Sequence, residues 1–503
     1  MPCGERSIGK MDNRVEPTGS RRSRSDTIAA MLDSPLDVLI VGGGILGAGI
    51  ARDGAMRGLR VGLVEQYDMA FGSSSRSSRM LHGGLRYLSQ GHLKLVREAS
   101  IEKGVIHRIA PHLADPLPFV FPTYRGSGWP LWQVRFGVKL YDFLCGGRNL
   151  GPSRSMCRDE IVEYLPGVKT EGLTGGVRYF DGLTNDARLV IDTLRSAAQA
   201  GAILCNYARL CNASPQRNSW QCEVGDELSG QQLRISARAV VNATGPWAET
   251  LPHSSVKLRL TKGIHLVVDR RRLPVPDAVF MTIAERALFA IPWGERVILG
   301  STDTDYEGPL DDVRADGDDV AYVLDVVNGA FPDSRLGSDD VIGSWAGLRP
   351  LIASGSTAAE KGKPSNVSRA HKITMPQPGW FDIAGGKLTT YRLIGQQTID
   401  RLMHYLDRKG AKCGTAAEPL IRPEEAQGTS GIVPPPPSRQ LIEHFCKAEW
   451  AVHLDDVMLR RAGWHYYRTD SDQVAGQVAA WMAEILGWSA ADEEAELGRY
   501  RRS

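Results

Sequence analysis

Cysteine is scarce in this chain. Eight cysteines are scattered over 503 residues, and no two form a C-x-x-C pair. Cys205, Cys211 and Cys222 cluster loosely but lack histidine or cysteine partners at zinc spacing, so no metal site is predicted. Reduced thiols in a cytosol-facing protein are the simplest interpretation. An excess of one charge is also missing. The net charge of +2 argues against a dedicated nucleic-acid binder, which would show a strong basic surplus. No apolar run is long enough to span a bilayer. Residues 1–30 contain no apolar h-region, so no signal peptide is expected. Internal repeats are absent. What remains is an ordinary globular composition, 42% hydrophobic and 23% charged, in a chain long enough for two or three domains.

The most informative segment runs from Asp37 to Glu65, DVLIVGGGILGAGIARDGAMRGLRVGLVE. Gly42, Gly44 and Gly47 stand in the G-x-G-x-x-G pattern between a strand-like and a helix-like run. Gly42 permits the tight turn, Gly44 lets backbone approach a pyrophosphate, and Gly47 lets the helix lie close on the strand. The helix that begins there offers amides and a positive dipole end to phosphate oxygens. Glu65 follows a second apolar run, about twenty residues past the glycines, where a ribose hydroxyl needs an acceptor. Strand, turn, helix, strand and acid in this order predict an α/β, Rossmann-like dinucleotide domain.

Elsewhere the chain divides by composition. Residues 1–24 read as a disordered polar tail, and residues 25–33 as a short helix capped by Ser25 or Asp26. AFGSSSRSSRMLHGGLRYL, after Glu65, is a long loop dense in hydroxyls and glycine; by itself, such a run would suggest only a flexible serine-rich loop. Helix is expected around Trp129–Leu144, and DARLVIDTLRSAAQAGAILC reads as a helix and then a strand. Residues 257–304 alternate apolar and polar, which predicts antiparallel strands of a second sheet. The expected layout is an oxidoreductase body over 25–422, with a substrate domain inserted at roughly 85–180 and 255–345. A proline-rich linker partly in polyproline II follows over 423–438, and then a small, separate α-helical domain over 439–503.

SSSRSSRMLHGGLRYL, DARLVI, VVNATGPWA, TKGIHLVV, WAGLRPL, GGKLTTYR and EWAVHLDDVMLRR together give a chain that resembles the FAD-dependent, quinone-linked glycerol-3-phosphate dehydrogenases over about residues 25 to 490. No D-x-D-x-D-G calcium loop of the kind carried by the mitochondrial members is present. The resemblance implies FAD on a two-dinucleotide-domain flavoprotein fold, oxidation of sn-glycerol 3-phosphate to dihydroxyacetone phosphate by hydride transfer to flavin N5, and electrons passed to a membrane quinone. It also implies a peripheral place on the inner face of the cytoplasmic membrane, for which Trp129–Lys139 (WPLWQVRFGVK) is one region to inspect. A homodimer is compatible with it.

The resemblance places Ser73, Ser74, Ser75 and Ser77 at the pyrophosphate and ribityl chain, and His82, Gly83 and Gly84 against the flavin. Thr244 and Gly245 lie where FAD passes close over backbone. Gly386, Lys387, Leu388 and Thr389 begin a helix whose amides face the pyrimidine end of the ring. For the substrate, Arg86 and Arg349 are the expected phosphate and active-site arginines, with Tyr87 adding a hydroxyl and Lys387 a further charge. His265 is the candidate base; Arg349 competes as an electrostatic stabiliser of a developing alkoxide. Three alternatives stay open: a glycerol-3-phosphate oxidase that uses O2, an amino-acid or 2-hydroxy-acid oxidising flavoenzyme, and a catalytically dead flavin-binding module.

Overall fold

The computed structural model describes residues 23–89, 91–126, 129–146, 149–283, 286–353 and 370–502. Two sheets organise them. The first has eight strands. Its parallel part runs Trp380–Gly385, Gln232–Asn242, Leu36–Val41, Val61–Val64, Ile203–Cys205. Leu36–Val41 is buried at all six positions, as a strand covered on both faces must be, and this is why it reads as a continuous apolar run. One face carries helices Ile45–Met56, Asp186–Gln199 and Tyr391–Tyr405. Gly49 and Gly395 let two of these helices touch: a Cβ on Gly395 would lie 2.7 Å from Gly49 backbone. The other face carries helix Arg24–Leu32 and the antiparallel strands Ala208–Pro215 and Trp220–Asp226, packed through Met31, Trp220 and Trp380. The first helix is capped by Ser23, not by the expected Ser25 or Asp26: the Ser23 hydroxyl accepts from the Asp26 amide at 3.1 Å. The tail before it lies outside the described residues.

The second sheet has ten strands drawn from residues 80–183 and 258–352. It is antiparallel apart from one parallel pair, Ala278–Ile283 with Asp115–Tyr124. Its central strand, Leu258–Asp269, pairs with Arg296–Gly300 on one side and Val341–Ile352 on the other. His265 therefore sits between Gly300 and Trp345, and Thr261 lies opposite Arg349. Helix Gly317–Ala330 covers the outer face, started by an Asp316 cap that accepts from the Asp319 amide at 2.9 Å.

The C-terminal helices Arg439–Ala448, Ser471–Leu486 and Ala490–Arg502 have a core of their own, but they are not separate. A π-helical stretch, Asp456–Arg461, reaches into the first sheet's domain. There Arg460 and Arg461 both bond to Asp68, and Glu449 receives Arg188 at 2.5 and 2.8 Å. All of these groups are buried. Segment 423–438 is likewise held down. It begins with a helical turn, Pro423–Ala426, and its Ile432 and Pro435 carbonyls accept from the indoles of Trp293 and Trp464 at 2.8 and 2.7 Å. Composition reads this segment as a linker because several of its contacts are through backbone carbonyls, which sequence does not display, and its Ser430 reaches a distant partner, Asp192, at 2.6 Å.

Candidate active site

A cavity partly open to solvent runs between the two sheets from the Gly42–Glu65 unit to the strands bearing His265 and Arg349. At its first end the glycines behave as geometry demands. Gly42 has φ +112, and a Cβ there would meet the Ala243 carbonyl at 2.6 Å. A Cβ on Gly47 would lie 1.9 Å from the Gly42 carbonyl, so only glycine lets the helix approach the turn. Gly44 is an N-cap without a side-chain bond and lines the cavity. Glu65 accepts from the Gly43 and Tyr67 amides at 2.7 and 2.9 Å. Burial pushes its carboxyl above the ordinary range, against those two amides. A helix N-terminus, closely approachable backbone and a carboxylate at this spacing fit an adenosine diphosphate group.

The serine loop splits by role. Ser73, Ser74 and Ser77 line the cavity. The Ser73 hydroxyl donates to the Leu348 carbonyl, joining the two domains, and Ser74 accepts from the Ile45 amide at 3.0 Å. Ser75 does not line it: its side chain is buried in the turn, bonded to the Gly72 carbonyl at 3.5 Å. His82 lines the cavity, while its two glycines pack behind. A Cβ on Gly83 would strike the Tyr141 hydroxyl at 2.4 Å and one on Gly84 the Tyr87 ring at 2.3 Å. Thr244, Gly245, Gly386, Lys387, Leu388 and Thr389 all line it. Gly386, at φ +90, makes the turn before the helix, which starts with a 3-10 turn over Leu388–Thr390 and becomes α-helical only at Tyr391.

At the far end stand the cations and His265. Arg349 bonds Asp303 at 3.1 Å and Ser301 at 2.7 Å and faces the cavity. Lys387 lies 3.9 Å above the Tyr87 ring and 3.4 Å from the Gly83 carbonyl. Tyr87 is only 3% exposed and belongs to the core. Its ring lies under Lys387, and it is not among the residues that line the cavity. The Arg86 side chain lies outside the described residues. His265 lines the cavity although only 2% exposed. Its ring stacks on Trp345 at 5.2 Å and 19°, and its Nε2 is 2.7 Å from the Ser78 hydroxyl. Burial, then the charges of Arg349 and Arg79, hold its pKa well below the ordinary 6.5, so the imidazole is neutral near pH 7 and can accept a proton.

Sequence reasoning missed Arg76, Ser78 and Trp247, all in the cavity wall, and Arg79 behind it. Ser78 and Arg76 sit in the same loop that drew attention to their neighbours, but a serine run has no period by which its inward members could be told apart. Arg79 is buried with φ 55, its guanidinium over the rings of Trp293 at 4.1 Å and Trp345 at 5.0 Å.

A family model described as FAD dependent oxidoreductase matches residues 37–429, and the chain belongs to that family. Within it, the branch is that of the glycerol-3-phosphate dehydrogenases and alpha-glycerophosphate oxidases. A protein named glycerol-3-phosphate dehydrogenase from Mycobacterium leprae (strain TN) is 34% identical over 519 residues, covering 92% of this chain and 87% of that one. An alpha-glycerophosphate oxidase from Streptococcus pyogenes serotype M18 is 35% identical over 454 residues, covering 78% and 74%. Among solved structures, the glycerol-3-phosphate dehydrogenase from Bacillus halodurans complexed with FAD superposes with a TM-score of 0.76 at 27% identity, covering 95% of this chain and 96% of that one. FAD is the cofactor that the glycine-lined end of the cavity fits.

Proposed function

We propose that the chain oxidises sn-glycerol 3-phosphate to dihydroxyacetone phosphate, with electrons passed on to a membrane quinone. One observation carries this reading: Arg349, Lys387 and His265 open into the same cavity as the glycine fingerprint. Two cations suit a phosphomonoester dianion, and the planar guanidinium of Arg349 can hold two of its oxygens. Gly42, Gly44, Glu65, Ser74, Thr244 and the backbone from Gly386 to Thr389 would hold FAD, which when bound supplies a hydride acceptor. His265, neutral and without competing charge of its own, takes the hydroxyl proton. Arg349 stabilises negative charge that grows on the carbinol oxygen.

The test is anaerobic mixing of purified holoenzyme with glycerol 3-phosphate while following flavin absorbance near ~450 nm. Bleaching by the phosphate ester but not by glycerol or by 2-hydroxy acids supports the reading; an unbleached flavin sinks it. A second reading, oxygen as acceptor, is favoured by the S. pyogenes relatives named oxidases. Hydrogen peroxide formed in step with substrate, with no quinone added, would establish it.

Peripheral attachment to the inner face of the cytoplasmic membrane is part of the proposal. No helix among the described residues is long and apolar enough to cross a membrane. Helix Leu131–Leu144 instead exposes Trp132 (71%), Phe136 (68%) and Phe143 (79%), with Arg135 and Lys139 also exposed beside them. Aromatic rings flanked by cations on one helical face suit the headgroup layer of an anionic bilayer.

A further inference from the structure

We propose that Ser78 is a catalytic residue, the proton relay between the substrate hydroxyl and His265. The inference rests on the reading of His265 as base. It starts from access: His265 is nearly closed off, whereas Ser78 lines the cavity, half-buried, with its hydroxyl 2.7 Å from Nε2. Nδ1 is buried and has no hydrogen-bond partner among the described residues. The hydroxyl is thus the imidazole's outlet toward the ligand. With Ser78 donating to Nε2, the ring proton is on Nδ1 and Nε2 is ready to accept.

Segment 77–79 is built to hold that contact. The Ser77 amide donates to Asp186 at 2.8 Å, and its carbonyl accepts from the Trp345 indole at 3.1 Å. Arg79, whose backbone is left-handed, lies against the Trp345 ring, the same ring on which His265 stacks. Three consecutive residues therefore each touch His265 or the indole that carries it.

The step balances simply. The substrate O–H bond breaks and its proton goes to the Ser78 oxygen while the hydroxyl proton of Ser78 goes to Nε2. Serine ends as it began, and the ring ends as imidazolium. The C2–H electron pair leaves in the oxidation that the family performs, and the C2–O bond becomes a carbonyl. The groups around His265 are Arg349 on the neighbouring strand, Arg79 on the loop, Lys387 across the cavity, Asp303 paired with Arg349, and Asp186 near Arg79 at 3.8 Å. The two arginines oppose an imidazolium; a substrate phosphate bound at Arg349 offsets that opposition.

The experiment uses holoenzyme and anaerobic flavin reduction at saturating glycerol 3-phosphate, in mixtures of H2O and D2O. Ser78→Ala should slow reduction by about 10²-fold, a usual size for a lost acid–base contact. It should also turn a curved dependence on deuterium fraction, the mark of two protons in flight, into another shape. Ser78→Thr, which keeps the hydroxyl, should restore both, and Ser78→Cys repeats the test if the alanine protein loses FAD. A Ser78→Ala rate within twofold of wild type overturns the relay, as does a slow variant with the wild-type deuterium curve. His265→Gln separates the two ideas: if it reacts normally the base assignment fails, and if it is slow while Ser78→Ala is not, the relay alone fails.

Discussion

Arg461 grips Asp68 with both ends of its guanidinium, at 2.6 and 2.7 Å, and neither side chain has any contact with solvent. Arg460 adds a third bond to the same carboxylate at 2.6 Å. Breaking such a group from one side leaves buried charge without a partner. Asp68→Ala should lower unfolding free energy by about 3–5 kcal/mol, as for other broken buried pairs. Urea or thermal unfolding measures it, and a loss below ~1 kcal/mol would mean that the arginines find other partners. The pH dependence follows from sign. Burial pushes the Asp68 carboxyl up, and Arg461 and Arg460 overcome it, so the folded value lies below the ordinary one. That stabilisation is present above about pH 4 and is lost as pH falls further.

The glycines of the fingerprint should differ in severity, and not in the order that their distance from the ligand suggests. Gly47 is the one behind the cavity, yet its Cβ would sit 1.9 Å from a backbone carbonyl, whereas the Cβ of Gly44 would meet only the Ser74 hydroxyl at 3.0 Å. Gly47→Ala should therefore give colourless protein with a lowered melting temperature. Gly44→Ala should fold normally and lose part of its FAD. Absorbance ratios and thermal melts of the two purified variants decide this.

Arg349→Lys keeps a positive charge but loses the fork that now reaches both Asp303 and Ser301. The expected result is a fall in kcat/KM for glycerol 3-phosphate of roughly 10²-fold or more, about 2.7 kcal/mol of transition-state stabilisation. FAD content should not change. Steady-state kinetics with a soluble dye acceptor measures the effect; an unchanged kcat/KM would remove Arg349 from the proposed site.

His265 sets a second pH dependence. Its folded pKa is depressed, by burial first and then by Arg349 and Arg79. Below the unfolded value of about 6.5 the unfolded chain takes up a proton that the native state refuses, so stability is present above pH 6.5 and falls as pH drops through the folded value. Denaturation curves from pH 5 to 8 should show this loss in the wild type and a smaller one in His265→Gln. Parallel curves would place the titration elsewhere.

The exposed aromatic face gives a prediction independent of chemistry. Replacing Trp132, Phe136 and Phe143 together by serine removes side chains that are each more than two-thirds exposed, so the fold should be unaffected. Cosedimentation with vesicles containing anionic lipid should drop sharply, while turnover with a water-soluble acceptor stays within twofold. Undiminished sedimentation would move the contact to another surface.

Local features were legible in the sequence; convergent ones were not. The Gly42–Glu65 unit could be read directly because every constraint in it falls within one βαβ stretch. His265 and Arg349 could be picked out as candidates through the motifs around them. Their shared wall was not, since it depends on strand register and on Ser78, which is 187 positions from His265. The motif containing Tyr87 suggested a ligand hydroxyl; that its ring also lies under Lys387 could not be read from the motif. Nothing in the chain's periodicity could separate Ser75, turned into its own loop, from Ser78, turned toward a histidine. The C-terminal helices looked separate because many of their ties are buried charges, which in sequence resemble the solvated charges of any helix.

Those ties also order events at the ribosome. Asp68 emerges 393 residues before Arg461, and Asn206 emerges 244 before the Trp450 carbonyl to which it donates. The acid in the segment immediately downstream of Glu65 thus lacks its arginine partners until residues 460 and 461 have been made. The surroundings of the nucleotide cleft consequently depend on a segment far along the chain, and a polypeptide truncated before residue 460 contains every fingerprint residue without the clasp that finishes their surroundings.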